Sequence, residues 1–318
     1  MNQQLANIAA IINDLNSIPS PTDGEGNLIQ HIIGTYVHPY HLEYHRGQRA
    51  NYVGEPYLFI GDQNARYILV THCDRVNENT GLEVNYKRYR GSEPINEDRI
   101  VIGKLDNTAC LAVGIYFLLT IPEDILSDIA LLVTTSEEGK PNKSGLDITY
   151  THGGRGFIQY LNDHLHQIDR KLFICLDVRN IDGMPEIKPG DGLVLRQAEY
   201  RNQGRNKLFD ADNGIQQLIQ KCALSNHITL IPYDGARGGI TEIGRGYEYI
   251  VSRGVNKDSY KAAWLQPPLR NYHTTNEEMS GTDLVHLYRI LLCLNKGTSR
   301  GEVEIWDDRD VQEDNNEK

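Results

Sequence analysis

The stretch Ile129-Ala-Leu-Leu-Val-Thr-Thr-Ser-Glu137-Glu138-Gly139 constrains the fold of this chain more than any other. It begins as an unbroken apolar run, the pattern of a strand buried on both faces, as in a parallel sheet. It ends in two adjacent carboxylates and a glycine. In open α/β sheets, ligands and chemistry gather beyond the carboxyl ends of such strands. Neighbouring carboxylates there are costly unless each has a partner, and a divalent metal is the obvious one. One glutamate can then bind the metal, while the other stays free to take a proton from an activated water.

Two further apolar runs end the same way. Tyr67-Ile-Leu-Val-Thr-His72-Cys73-Asp74 reads as a strand, and its period of two puts His72 and Asp74 on one side. A carboxylate beside a histidine can hold the second ring nitrogen and fix the tautomer for metal binding. Lys171-Leu-Phe-Ile-Cys-Leu-Asp177 is the third such strand. Three buried strands therefore deliver His, Glu or Asp at the same end. Between them, Lys104-Leu-Asp106-Asn107 opens a helix that runs through Leu119. Asp106 or Asn107 can serve as its N-cap. A carboxylate at a helix N-terminus is also held by the helix dipole, which suits a bridging ligand between two cations. Late in the chain, Leu269-Arg270-Asn-Tyr-His273-Thr-Thr-Asn-Glu277 places a histidine in a loop.

Periodicity supplies the frame around these segments. Amphipathic helices are expected over residues 3–16, 25–37, 157–164 and 212–225, with a last one from Gly281 to about Leu294. Shorter strands are expected at 42–46, 52–53, 57–60, 82–89, 99–102, 227–231 and 249–251, and a turn-rich hairpin at 185–195. Gly235-Ala-Arg-Gly-Gly239-Ile-Thr-Glu242 reads as a flexible, glycine-rich turn carrying a carboxylate. The expected fold is α/β, with a mixed, mostly parallel central sheet flanked by helices. Residues 1–298 are expected to form one catalytic domain, with a short hairpin-like insertion at 75–104 and an acidic, flexible tail at 299–318.

Charge narrows the function classes. The net charge is −11, and residues 301–318 alone carry eight acids against Arg309 and Lys318. This balance argues against a nucleic-acid-binding surface. No apolar run approaches the roughly 18 residues of a membrane span. Met1-Asn-Gln-Gln-Leu5 has no basic n-region or signal-peptide core. Cys73, Cys110, Cys175, Cys222 and Cys293 are odd in number and scattered, so all five are expected to be reduced thiols of a cytoplasmic protein.

The order of these motifs resembles the co-catalytic di-zinc exopeptidases, among them bacterial leucine aminopeptidase and the deblocking or tetrahedral aminopeptidases. The zinc carboxypeptidases and deacylases that carry a lid domain are more distantly similar. The resemblance covers roughly residues 5–295. It begins with the opening helix and Ile18-Pro-Ser-Pro-Thr-Asp-Gly-Glu25 and continues through His72-Cys-Asp74, Leu105-Asp106-Asn107, Glu137-Glu138-Gly139, Leu176-Asp177 and His273-Thr-Thr-Asn-Glu277. It implies two divalent ions, zinc first, with cobalt or manganese able to take the same ligands. Asp106 would bridge them, Glu138 and His273 would complete one site, and His72 and Asp177 the other. Each ion then has three protein ligands and an open position, the pattern of a catalytic site. Asp74 would orient His72, and Glu137 would be the general base. The implied reaction is hydrolysis of a terminal peptide bond or small amide. Gly238-Gly239-Ile-Thr-Glu242 resembles a glycine-rich, Thr-acid segment of the deblocking enzymes, so Gly239 and Glu242 are expected either in a wall of the substrate pocket or in an ordinary tight turn. Arg270 matches the same enzymes' approach to the final histidine, where it would bind substrate or brace the loop.

The chain also departs from that pattern. Only 32 positions separate Asp74 from Asp106, too few for the large oligomerisation domain of the deblocking enzymes. The 96 positions between Asp177 and His273 must hold part of the core sheet as well, so no separate lid is expected. Aminopeptidase action needs carboxylates to receive an amino terminus, which Glu242 and the metal-site acids can supply. Carboxypeptidase or N-acyl deacylase action needs a cation, and Arg237, Arg270 or an arginine within 196–205 could serve. A non-catalytic binding protein would lack a ligand or the base, and none is missing. Oligomeric state is left open, with a homo-oligomer compatible with the pattern.

Overall fold

The computed structural model describes residues 3–21, 24–48, 56–75, 85–88, 99–121, 128–137, 140–141, 148–149, 154–201, 206–235, 240–274 and 276–299. Glu138, Gly239, Arg237, the 52–53 segment and the acidic tail beyond 299 lie outside them.

An eight-stranded sheet forms the centre. Its order is Tyr44–Arg46, Tyr57–Ile60, Ile129–Thr134, Tyr67–His72, Leu172–Leu176, Lys261–Gln266, Leu193–Arg196, Leu230–Tyr233. Ile129–Thr134, Tyr67–His72, Leu172–Leu176 and Lys261–Gln266 are mutually parallel neighbours, and antiparallel strands flank them on both sides. The architecture is the mixed, mostly parallel sheet expected. Ile129, Ala130, Leu131, Leu132 and Val133 are each at most 1% exposed, as the uninterrupted apolar run requires. Burying each of the larger of these side chains contributes on the order of 1.5–3 kcal/mol relative to exposure.

Register decides where the polar ends fall. His72 pairs with Thr134, and Val70 with Cys175. The segments after all three strands therefore emerge level with one another, at the carboxyl edge of the parallel block.

Helices flank the sheet. α1 (Gln3–Asn16), α3 (Thr108–Thr120) and α7 (Gly281–Ser299) pack together, with α5 (Asn213–Ser225) against α7. α4 (Arg155–Asp163) packs on α6 (Glu242–Ser252). α2 (Gly26–Ile32) continues through a π-helical turn, Ile33–Val37. No helix among the described residues is long and apolar enough to cross a membrane.

Three local expectations are corrected. Residues 249–251 belong to α6, not to a strand. The Thr241 hydroxyl caps this helix by accepting from the Gly244 N–H, and Ile243, Gly246 and Ile250 form a buried face at helical spacing. Only glycine fits at 246, because a Cβ there would meet the Phe157 ring at 2.4 Å. Residues 185–195 make no hairpin. They run through turns into Leu193–Arg196, which pairs parallel with Leu230–Tyr233 and antiparallel with Lys261–Gln266. Finally, Cys222 and Cys293 are joined in a disulfide, while Cys73, Cys110 and Cys175 are free and buried. The packing of α5 on α7 brings their Cα atoms to 5.6 Å, within bridging range.

Of the smaller sheets, a three-stranded one bears on the site. Glu277–Ser280 pairs antiparallel with Arg99–Gly103, which pairs antiparallel with Asn85–Arg88. Glu277 lies opposite Gly103, so the segment after Gly103, which carries Asp106, is set beside the segment that carries His273.

Candidate metal centre

His72, Asp106 and Asp177 come together at the carboxyl edge of the sheet. Each presents one ligand atom, and these atoms lie within 4.8 Å of one another. His72 is the last residue of its strand and Asp177 follows Leu176 directly. Asp106 arrives from the turn ahead of α3. That turn is tied to the sheet by Asn107, whose amide donates to Thr71 Oγ1 at 2.8 Å and to the Leu176 carbonyl at 2.7 Å. Asn107 occupies the N-cap position but makes no capping bond, because its side chain is used on the strand ends instead. The Asp106–Asn107 peptide is cis.

The Asp106 carboxylate faces two imidazoles. Its Oδ1 lies 3.4 Å from His72 Nε2 and its Oδ2 lies 3.3 Å from His273 Nε2. Both oxygens are buried and neither has a hydrogen-bond partner. Such atoms are rare in folded proteins and call for an explanation. His72 Nε2 also lies 3.7 Å from Asp177 Oδ1. The other ring nitrogen, Nδ1, donates to the main-chain oxygen of Asp74 at 3.1 Å, with the Asp74 carboxylate at 3.5 Å. Nε2 is thus the nitrogen turned toward Asp106 and Asp177.

The charged groups of the cluster act on one another. Burial alone would lower the pKa of His72, but Asp106, Asp177 and Asp74 outweigh it and hold the ring well above its ordinary value. Burial alone would raise Asp106, but His273 and His72 outweigh it and hold the carboxyl below the usual range. Carboxylates gathered about the Nε2 edge of a buried imidazole, with a second imidazole on the far side of Asp106, make a donor set suited to a divalent cation. Histidine nitrogen mixed with carboxylate oxygen fits zinc. His72, Asp106, Asp177 and His273 are the residues that could hold it.

The other candidates take these places. Glu137 follows Ser136, a residue with φ of +57°, and is half-buried. Its N–H donates to Asp74 Oδ1 at 2.9 Å, and the Ser136 N–H donates to Glu25 Oε1 at 2.9 Å. Glu242 begins α6 and is only 2% exposed. Its Oε2 accepts from the Thr134 hydroxyl at 2.5 Å, so it sits against the central strand and faces away from solvent. Burial is the chief reason that its pKa rises to about 7. Arg270 is half-buried and opens the hairpin that carries His273, its main chain paired both ways with Glu278 at 3.0 Å. Arg196, at the start of the 196–205 stretch, is buried, bonded to Glu199 at 2.6 Å.

Two residues that sequence reasoning left without a role matter here. Glu25 belongs to the segment after α1 and reaches the loop of Glu137. Glu277 accepts from the N–H groups of Leu105 (2.6 Å), Asp106 (3.0 Å) and His273 (2.8 Å). Burial and then the Asp106 charge raise the pKa of Glu277 to about 7. Both residues stand inside segments that the sequence marks. Only the tertiary fold shows that their carboxylates end on the backbone of other segments.

No protein-family model matches the sequence, and no curated protein matches it. Solved structures do match the fold. A TET aminopeptidase from a marine sediment archaeon of the Thaumarchaeota is 13% identical, with a TM-score of 0.61 over 93% of this chain and 99% of that one. The aminopeptidase PepT from Bacillus cereus is 12% identical, with a TM-score of 0.61 over 93% of this chain and 99% of that one. The Pyrococcus horikoshii TET1 peptidase, which can assemble into a tetrahedron or a large octahedral shell, is 14% identical, with a TM-score of 0.56 over 91% and 99%.

Proposed function

We propose that the protein is a metal-dependent exopeptidase of the aminopeptidase type, with a pair of divalent cations, zinc in the first instance, as its cofactor. The observation that carries this reading is the buried Asp106 carboxylate, whose two oxygens each face a different histidine nitrogen, at 3.4 and 3.3 Å. A carboxylate so disposed is suited to bridging two cations, with His72 and Asp177 on one side and His273 on the other. Glu138 would complete the second set. The fold shared with solved aminopeptidases over nearly their whole length supports the same reading.

Bound cations would supply Lewis-acid polarisation of the scissile carbonyl and of the attacking water. The protein groups do the rest. Glu137, half-buried beside the cluster, takes the proton of that water at its carboxylate and returns it to the leaving amine. Asp74 holds the Glu137 main chain, and Glu25 holds that of Ser136, so the carboxylate is aimed before substrate arrives. A free amino terminus would be received by acidic groups near the metal ligands, with Gly239 and Arg270 as further substrate contacts. Glu242, buried against Thr134, would act on the site only from behind its surface. Of the cations that action on carboxylate-ended substrates would need, Arg196 is engaged by Glu199 and Arg201 by Glu248, while Arg270 remains a candidate. Cytoplasmic location and a homo-oligomeric state, without the large inserted assembly domain of the deblocking enzymes, complete the proposal.

The test is a panel of free-amino dipeptides, aminoacyl anilides, N-acylated amino acids and C-terminal carboxylate peptides. Each is assayed with zinc, cobalt or manganese, with chelator, and beside Glu137→Gln. Metal-dependent release of N-terminal residues, reduced about 10²–10⁴-fold in Glu137→Gln, is expected. Activity confined to acylated or carboxylate-ended substrates would overturn the aminopeptidase assignment.

A further inference from the structure

The loop of His273 is built around two carboxylates. Asn271 and His273 have φ of +56° and +59°, the left-handed region that non-glycine residues seldom enter. Alternation of this kind turns successive N–H groups to one side and makes a concave site for an anion. Here protein carboxylates supply the anions. Asp182 accepts from the Asn271 N–H at 3.0 Å and from the Tyr272 N–H at 2.9 Å, one through each oxygen. Glu277 takes the next N–H, that of His273, through Oε1. Its Oε2 accepts from Leu105 and Asp106, some 170 residues earlier in the chain.

We propose that Glu277 and Asp182 are positioning residues of the metal centre, holding the main chain of His273 and Asp106 so that the two side chains stand at ligating separation. This rests on the metal-dependent reading above. Glu277 ties the backbone of one ligand to the backbone of the other, and His273 Nε2 stands 3.3 Å from Asp106 Oδ2 as a result. No neutral side chain of the same length can replace it. A glutamine has one acceptor oxygen for three N–H groups and turns its own NH2 against at least one of them. Asp182 acts only on the His273 side and is exposed, so its removal leaves the core intact.

The experiment titrates metal-stripped protein with zinc against a chromophoric chelator, for wild type, Glu277→Gln and Asp182→Ala. Melting curves of the same metal-free samples are recorded alongside. Wild type is expected to bind two zinc ions. Asp182→Ala should weaken one of them about 10- to 100-fold and leave the other unchanged, with the metal-free melting temperature preserved. Glu277→Gln should weaken both, because it also releases Asp106. A role in folding alone would lower the melting temperature without this one-sided loss. Should Glu277→Gln fail to fold, Asp182→Ala decides the matter by itself. Two ions bound at wild-type affinity by a folded Asp182→Ala overturn the inference while leaving the metal centre standing. A wild type that binds no zinc overturns both.

Discussion

The main-chain N–H of Glu137 donates to the carboxylate of Asp74 over 2.9 Å, while the main-chain oxygen of Asp74 accepts from His72 Nδ1 over 3.1 Å. One residue thus joins a proposed metal ligand to the proposed general base, and does so with two different groups. The imidazole is oriented chiefly by backbone. The base is aimed by side chain.

That division predicts unequal effects of two substitutions. Asp74→Asn keeps an oxygen that can accept from Glu137 and leaves the backbone contact with His72 untouched. Asp74→Ala leaves the Glu137 N–H without its partner. The alanine variant is expected to lose about 10- to 100-fold in kcat with zinc content preserved, and the asparagine variant clearly less. Steady-state kinetics with metal analysis on both variants check this. Equal losses would mean that the Asp74 charge matters and the hydrogen bond does not.

Glu25 gives a second prediction. Its carboxylate is 3% exposed and accepts from the N–H of Ser136, whose positive φ turns the chain toward Glu137. Glu25→Gln retains an acceptor oxygen and should be mild. Glu25→Ala leaves a buried N–H unsatisfied and should cost about 1–3 kcal/mol of stability. Chemical denaturation of the two variants measures the difference. A Glu25→Ala protein as stable as Glu25→Gln would show that the bond is dispensable.

These carboxylates also mark the limit of what the sequence reveals. Strand-end His72 and Asp177 and helix-start Asp106 are legible because an apolar run of period two or 3.6 places its terminal polar residue at a known edge. The parallel block is legible for the same reason. Glu25, Asp182 and Glu277 are not, because each ends on a main-chain N–H remote in sequence, and an N–H leaves no signature in residue type. The helix at 242–252 is misread as a short strand because Tyr249-Ile-Val251 has strand composition. Its helical face becomes visible only when Phe157 is known to lie over Gly246. The Cys222–Cys293 pair, 71 positions apart, depends likewise on α5 meeting α7.

Proton linkage follows from the state of His72. With Asp106, Asp177 and Asp74 around it, the metal-free imidazole is held protonated above its ordinary pKa. A cation can bind only the neutral ring, so binding near neutral pH must release a proton. Zinc affinity should therefore rise with pH, and keep rising beyond the pH at which an ordinary histidine has finished titrating. Calorimetric titrations in buffers of different ionisation enthalpy count the protons released. Zero release at pH 7 would contradict the linkage.

Glu242 makes the stability of the metal-free protein depend on pH in an unusual direction. Its pKa is about 7 in the fold and near 4.5 when unfolded, chiefly because burial disfavours the charged form. A carboxyl raised in this way contributes stability that is fully present below pH 4.5 and is lost as pH rises through 7. The shift corresponds to on the order of 3 kcal/mol. Glu242→Gln removes the titration while keeping an oxygen for the Thr134 hydroxyl. Denaturant unfolding in chelator should therefore find the variant comparable to wild type at pH 5 and more stable than it at pH 8. A wild-type advantage of the same size at both pH values would mean that Glu242 stays charged in the fold at both, and that burial does not govern its titration.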